Sequence, residues 1–256
     1  MTKRRHLLLS GLLAPFVAHA AEDEFEGDPY KSGVWIDMRR EYLGGAKVVY
    51  DPRVVVQGPA FAEDPTAVPI SVRVDPALGP VDRISVLVDR NPIRRVLDYE
   101  PLSALPAIAF RFKLEQASPV RAAVLTREGR WHVGGTWVDA AGGGCTVAGA
   151  TRNDGSWSQH LGEVSGRWFD RGREGTRLRV GVRHPMDTGL VGGIPAFYLN
   201  RLSVQDGRGR ELARLQAFEP VSEDPVFSFD FAAPPEGGVR LVGGDNNGNR
   251  IAGSVR

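Results

Sequence analysis

Residues 108–145 read IAFRFKLEQASPVRAAVLTREGRWHVGGTWVDAAGGGC, and this stretch decides the fold. Ile108 to Leu114 alternates apolar and polar side chains, Val120 to Leu125 runs apolar, and Arg130 to Val138 is rich in β-branched and aromatic residues, so each reads as a strand. Arg127-Glu128-Gly129-Arg130 between the last two has the residues of a hairpin turn, because Gly accepts the positive φ such turns need. The run then dissolves into small residues, Gly142-Gly143-Gly144, and ends on Cys145. Working outward, Val68 to Val74 (VPISVRV), Ile84 to Val88, Leu178 to His184 (LRVGVRH), Leu199 to Val204, Val226 to Phe231 (VFSFDF) and Val239 to Val242 carry the same signature. Asp206-Gly207-Arg208-Gly209 makes another hairpin turn, and only Gly33 to Leu43 shows helical spacing, with Val34, Trp35, Met38 and Tyr42 near one face. The 31 glycines and 18 prolines fit short strands joined by turns and exclude a helical bundle. The small, polar stretch from about Gly142 to His160 separates two strand-rich segments. The expected architecture is all-β: two immunoglobulin-like β-sandwich domains joined by a Gly-rich, Cys-bearing loop.

The first twenty residues read as a secretory signal. Lys3, Arg4 and Arg5 form a positive start, Leu7 to Val17 an apolar centre too short to span a bilayer, and Ala18-His19-Ala20 an A-x-A cleavage site. The paired arginines fit either a general secretory or a twin-arginine signal. The domain plan is thus a leader over 1–20, a first sandwich over 21–145, a linker over 146–160 and a second sandwich over 161–256. The full chain holds 32 Lys and Arg against 31 Asp and Glu. Removing the three leader cations leaves 29 against 31, so the mature chain is close to neutral and lacks the footing for counterion-release binding to nucleic acid. No later segment approaches a membrane span, so no membrane partner is expected after cleavage.

Export makes the cysteine count informative, because oxidising compartments favour paired cysteines and this chain has one. Flanked by Ala140 to Gly144 and by Thr146-Val147-Ala148-Gly149-Ala150, Cys145 reads as part of an exposed, flexible loop with no large side chain to cover the sulfur. Such a thiol suits a carrier, which needs a bond-forming sulfur on a narrow, low-stiffness tether. It does not suit a self-contained catalyst, since no Lys, Arg or His lies within six residues to lower its pKa. An exposed lone thiol would also join two copies through a disulfide under oxidising conditions.

Particular residues bring a family into view. Asn91-Pro92 after the strand Ile84 to Asp89, the strand Ile108 to Lys113, the Gly129-Arg130-Trp131 turn and Gly142-Gly143-Gly144-Cys145 resemble SoxY, the substrate-carrying subunit of the periplasmic thiosulfate-oxidising complex. His184-Pro185-Met186-Asp187-Thr188-Gly189, Ile194-Pro195-Ala196 and the strand Val226 to Phe231 after Asp224-Pro225 resemble SoxZ, its partner. The order along the chain is that of a fusion, similar to SoxYZ-like carriers associated with quinoprotein alcohol dehydrogenases. The resemblance implies a non-enzymatic periplasmic carrier that holds a sulfur-bonded cargo on Cys145, uses Gly142, Gly143 and Gly144 as its arm, and serves enzymes of a sulfur-oxidation or quinoprotein dehydrogenase system. Asn91, Pro92, His184, Pro185, Met186 and Gly189 are then framework positions. One departure matters: the family's cysteine sits on a free C-terminal arm, whereas Cys145 is tethered at both ends. The seven steps from Val138 to Cys145 reach at most about 25 Å.

Other chemistries are weaker. His132, His160 and His184 show no metal-ligand spacing, and no metal or cofactor is implied. Asp245-Asn246-Asn247-Gly248-Asn249 places its Gly wrongly for a calcium loop and reads as a turn. A Cys145, His184 and Asp187 protease-like set has only generic spacing. Trp131, Trp137, Trp157 and Trp168 bracket the cysteine and read as packing. The competing class is a periplasmic accessory or binding module in which Cys145 is incidental or redox-sensing. The leader carries its own test: N-terminal sequencing of protein isolated from the exporting cell should begin at Ala21, with Ala-Glu-Asp-Glu-Phe, and an intact Met1 would remove the export reading.

Overall fold

The structure is a computed structural model that describes residues 24–256, so the leader read over residues 1–20 lies outside the described residues. The first half holds α1 (Trp35–Tyr42) and nine strands: β1 (Val48–Tyr50), β2 (Val54–Gln57), β3 (Phe61–Ala62), β4 (Val68–Val74), β5 (Val81–Val88), β6 (Arg95–Glu100), β7 (Ala107–Phe112), β8 (Ser118–Thr126) and β9 (Trp131–Ala140). A short helix, α2 (Ala150–Asp154), stands between the halves. The second half holds β10 (Val164–Asp170), β11 (Thr176–Val182), β12 (Leu199–Gln205), β13 (Glu211–Ala217), β14 (Val226–Phe231), β15 (Val239–Asp245) and β16 (Arg250–Val255).

These segments are strands because their side chains have two destinations. In β4, Val68, Ile70, Val72 and Val74 are buried while Pro69 and Arg73 are exposed, and in β14 Phe227, Phe229 and Phe231 point into the same core. The expected hairpins form with glycine in the left-handed region at Gly129 between β8 and β9 and at Gly209 between β12 and β13. The Asp245 to Asn249 segment is the β15–β16 turn, in which the Asp245 carboxylate accepts from the Asn247 and Asn249 amides.

The strands form two layers. One sheet runs β1-β9-β8-β5-β6-β13-β12-β15-β16, with β3 pairing β9, and the other runs β10-β11-β14-β7-β4-β2. Each half supplies strands to both layers and exchanges none, so each is a sandwich of its own. The two are nevertheless joined by more than the loop. Edge strand β6 pairs antiparallel with β13, Tyr99 opposite Leu215 and Leu97 opposite Ala217. In the other layer β7 pairs with β14, Ile108 opposite Phe229. A single buried apolar cluster crosses this seam. At its centre Tyr99 is fully buried, its ring 5.8 Å from that of Phe229 and its hydroxyl donating to the Leu105 carbonyl at 3.1 Å.

A second apolar cluster lies outside the first sheet. There Trp35, Met38 and Leu43 of the α1 region cover Leu87, Ala123, Trp131 and Val133. Under this helix is Arg121 on β8, a fully buried guanidinium held by Asp89 (2.8 Å to both oxygens) and by Asp28 (2.7 and 2.9 Å). It also lies 4.3 Å from the Trp35 ring centre and 4.9 Å from that of Tyr30. Burial opposes the Asp28 charge, but the hydrogen bonds from Arg121 and from the Ser32 and Tyr30 amides outweigh it and hold its carboxyl below the usual range. The four tryptophans do not gather into a cage: Trp131 lies under the α1 region, Trp168 packs on Phe231, Trp157 on Phe197, and Trp137 is partly exposed beneath Arg90.

Because the seam is continuous in both layers, cutting the chain within Thr151 to Gln159 should leave two β-rich fragments that co-elute in size-exclusion chromatography and separate only on dilution. Tyr99→Ala should weaken the whole molecule by roughly 3–5 kcal/mol and loosen that pairing. Fragments that part at once, with an intact Tyr99, would show that the seam contributes little.

Candidate functional site

The site lies at the seam, where the β7–β8 loop of the first half meets the segment 184–189 of the second. Asn91, buried just after β5, fixes the first wall. Its amide nitrogen donates to the Lys113 carbonyl at 2.8 Å, and its oxygen accepts from the Glu115 amide at 2.8 Å. The glycine run is laid along this wall. Gly143 donates to the Glu115 carbonyl at 3.0 Å and Gly144 to the Leu114 carbonyl at 3.2 Å. A side chain on Gly144 would stand 2.1 Å from the Pro65 carbonyl oxygen and 2.5 Å from that of Leu114, while Gly142 sits at φ 105°. These glycines are needed for close approach and for left-handed backbone.

The expectation of an exposed thiol is therefore corrected. Cys145 is buried, at 0% exposure. Its amide donates to the Glu115 carboxylate at 2.9 Å, its Sγ lies 3.4 Å from the Lys113 carbonyl oxygen, and its own carbonyl accepts from the Thr188 hydroxyl at 2.7 Å. The small residues that suggested looseness are what let the backbone dock tightly enough to cover the sulfur. Thr146 and Val147, immediately beyond, are exposed.

The second wall is built on Met186, which is buried with φ 50°, a conformation that costs a non-glycine residue about 1 kcal/mol or more. Hydrogen bonds hold it on every side. Its amide donates to His184 Nδ1 at 3.1 Å, its sulfur accepts from the Leu199 amide at 3.2 Å, and its carbonyl accepts from Lys113 Nζ at 2.5 Å. That last bond joins the two halves. Burial pulls the Lys113 ammonium below the ordinary lysine range, against the opposing pull of Asp187, Cys145 and Glu223.

Burial, reinforced by the Glu115 carboxylate, pushes the Cys145 thiol up to about 12, with Lys113 pulling the other way. The closed site thus holds the sulfur as a neutral thiol. Burial likewise brings His184 down to about 4. With Nδ1 accepting, its proton sits on Nε2, which faces Asp245 at 3.5 Å. His184 and Asp187 form no relay with Cys145, because Asp187 is engaged by Arg152 at 2.7 Å. Arg152 in turn lies 3.9 Å over the Trp157 ring. Among the described residues no group of His, Cys, Asp and Glu could hold a metal ion.

The structure thus brings Asn91, Gly144, Cys145, His184, Met186 and Thr188 into one network. Pro92 lines a groove beside Glu115, Thr146 and Leu190, Pro185 is buried between His184 and Met186, and Gly189 closes the turn against Ala196. Sequence reasoning missed Lys113, Glu115 and the role of Thr188. Lys113 falls, like Arg111, on a polar position of the alternation Ile108 to Leu114, which reads as solvent-facing, so its burial at 3% exposure had no signal in the sequence.

Fold and site together define an all-β protein of two fused sandwiches that close over a single cysteine at their seam. A family model described as "Sulfur oxidation protein SoxY" matches residues 39–145, and one described as "Sulphur oxidation protein SoxZ" matches residues 170–256. The chain belongs to this family as a fused SoxYZ-like protein, its SoxY part ending on Cys145. None of the curated proteins compared matches it. Among solved structures it is similar to the sulfur carrier protein SoxY from Chlorobium limicola f thiosulfatophilum, at 16% identity, 41% of this chain, 90% of that chain and a TM-score of 0.36. It is also similar to a superoxide reductase (neelaredoxin) from Ignicoccus hospitalis, at 16% identity, 36% of this chain, 94% of that chain and a TM-score of 0.30.

The burial of Cys145 sets its reactivity. In folded protein, iodoacetamide should label it about 100-fold more slowly than a free thiol, because the loop must first open. The closed form keeps its proton where a free thiol loses it, so raising the pH favours opening. Labelling should keep rising beyond about pH 8.5, where a free thiol levels off. Gly144→Ala, which cannot dock, should label at least ~10-fold faster. A wild-type rate equal to that of a free thiol would show the sulfur to be exposed.

Proposed function

We propose that this SoxYZ-like protein is a periplasmic carrier whose covalent attachment point is Cys145, sheltered at the seam between visits to partner enzymes. The observation that carries this reading is convergence: the motif residues of both halves, Asn91 from the first and His184, Met186 and Thr188 from the second, meet on the backbone that holds this one sulfur. A merely buried cysteine would need none of that framework. Joining the thiol to a sulfur compound as an S–S bond releases one proton and two electrons, so a redox partner enzyme must accept them. Opening is local: the bonds to be broken are those of 142–146 to Lys113, Leu114, Glu115 and Thr188, while β9 and α2 stay in place.

A second reading has one observation in its favour. The buried, proton-holding thiol also suits a periplasmic accessory module, for a quinoprotein dehydrogenase system among others, in which Cys145 is a framework residue. Disulfide-linked dimers are expected only from the opened form. Intact-mass measurement of protein isolated from its native host separates the two. A sulfur-containing adduct on Cys145, removed by reductant and absent from Cys145→Ser, is the result expected of the carrier. A bare thiol in protein taken from cells actively oxidising sulfur compounds would refute it.

A further inference from the structure

The outer face of the β10-β11-β14-β7-β4-β2 sheet differs from that of its partner sheet. Among the described residues no helix covers it, whereas the α1 region covers part of the other. Strand register sets its relief. One row across the sheet reads Arg167, Arg179, Ser228, Ala109, Ser71, so that three small residues floor a trough over the seam. Arg111 rises from β7 on one side, and Arg177 with exposed Phe169 on the other. Arg111, Arg167 and Arg179 are exposed and make no ion pair among the described residues. The carboxylate within the trough face, Asp230, is buried and already holds Arg171 and Arg177. A chain of balanced overall charge has therefore gathered unpaired arginines on one open face.

We propose that this trough is a docking surface for an acidic segment of a partner protein. Neighbouring strands lie about 4.8 Å apart and residues about 3.3 Å apart along a strand, so Arg111, two strands across and two residues along from Arg179, is roughly 12 Å from it, and the row from β10 to β4 spans about 19 Å. One small anion cannot bridge that set, but successive carboxylates on an extended chain can. Guanidinium groups suit the task, since each presents a planar fork to a carboxylate. Phe169, Val226 and Pro69 beside the arginines offer apolar contact that a protein segment uses and a bare polyanion does not. The trough needs strands from both halves, so only the assembled fusion presents it. The inference stands apart from whatever Cys145 carries.

The test is fluorescence anisotropy of a labelled peptide of alternating Glu and Leu with the full chain. Binding should weaken several-fold between ~50 and ~200 mM salt. The Arg111→Ala, Arg167→Ala, Arg179→Ala triple variant should lose at least ~10-fold in affinity with an unchanged melting temperature. Arg179→Glu alone gives the same direction should the triple variant fold poorly. A Lys-Leu peptide should not bind. The proposal is overturned if the variants bind the Glu-Leu peptide as well as wild type does, if heparin binds more tightly than the peptide through the same arginines, if millimolar sulfate alone fills the site, or if the arginines serve a self-association that sedimentation shows and the variants abolish. Labelling of Cys145 should be the same in wild type and variants, so this surface and the carrier reading can fail separately.

Discussion

Edge strands leave rows of unpaired amide and carbonyl groups, and each half of this protein has one such edge in each layer at the seam. Pairing β6 with β13 and β7 with β14 satisfies both at once and turns two sandwiches into one two-layer body. The site depends on this. Lys113 follows directly on β7, and the only route by which its ammonium reaches the Met186 carbonyl is across the closed seam. Met186 keeps its left-handed backbone because that bond and the one to His184 hold it there, and Thr188, two residues on, thereby comes to the Cys145 carbonyl.

The cysteine loop shows how one composition serves two ends. Glycine is costly to order, yet it is also the residue that lets backbone lie against backbone. Here several hydrogen bonds and the burial of the sulfur offset that cost in the closed form. The opened loop that the proposed carriage requires would recover the entropy and lose the contacts. Tethering at both ends restricts where the sulfur can travel, and α2 is anchored to the second half through Glu223, which accepts from the Ala150 and Thr151 amides at 2.8 Å.

Much of the fold was legible in the residues. Val68–Val74 and Val226–Phe231 are strands with the expected ends, since clean alternation has one good solution in a two-layer protein. The strands that escaped notice include β6 and β13, the two that join the halves in the first sheet. Their sequences, RVLDYE and ELARLQA, carry charges that obscure alternation. Those charges are cross-strand and local partners, Arg214 with Glu100 and Glu211, Arg95 with Asp98, visible only once the strands are side by side.

By itself the sequence determined the all-β class, the hairpin turns, the two-part order, the family resemblance and the identity of the one sulfur, because these follow from local periodicity, turn chemistry and motif. What only the tertiary structure decided is where that sulfur lies and what surrounds it. Lys113 with Glu115, Cys145, and Met186 with Thr188 come from three segments far apart along the chain, and no local pattern encodes their meeting. Burial of the thiol, its raised pKa and the arginine trough all arise from strand order and register, which are set by how the two halves pack and not by any one segment.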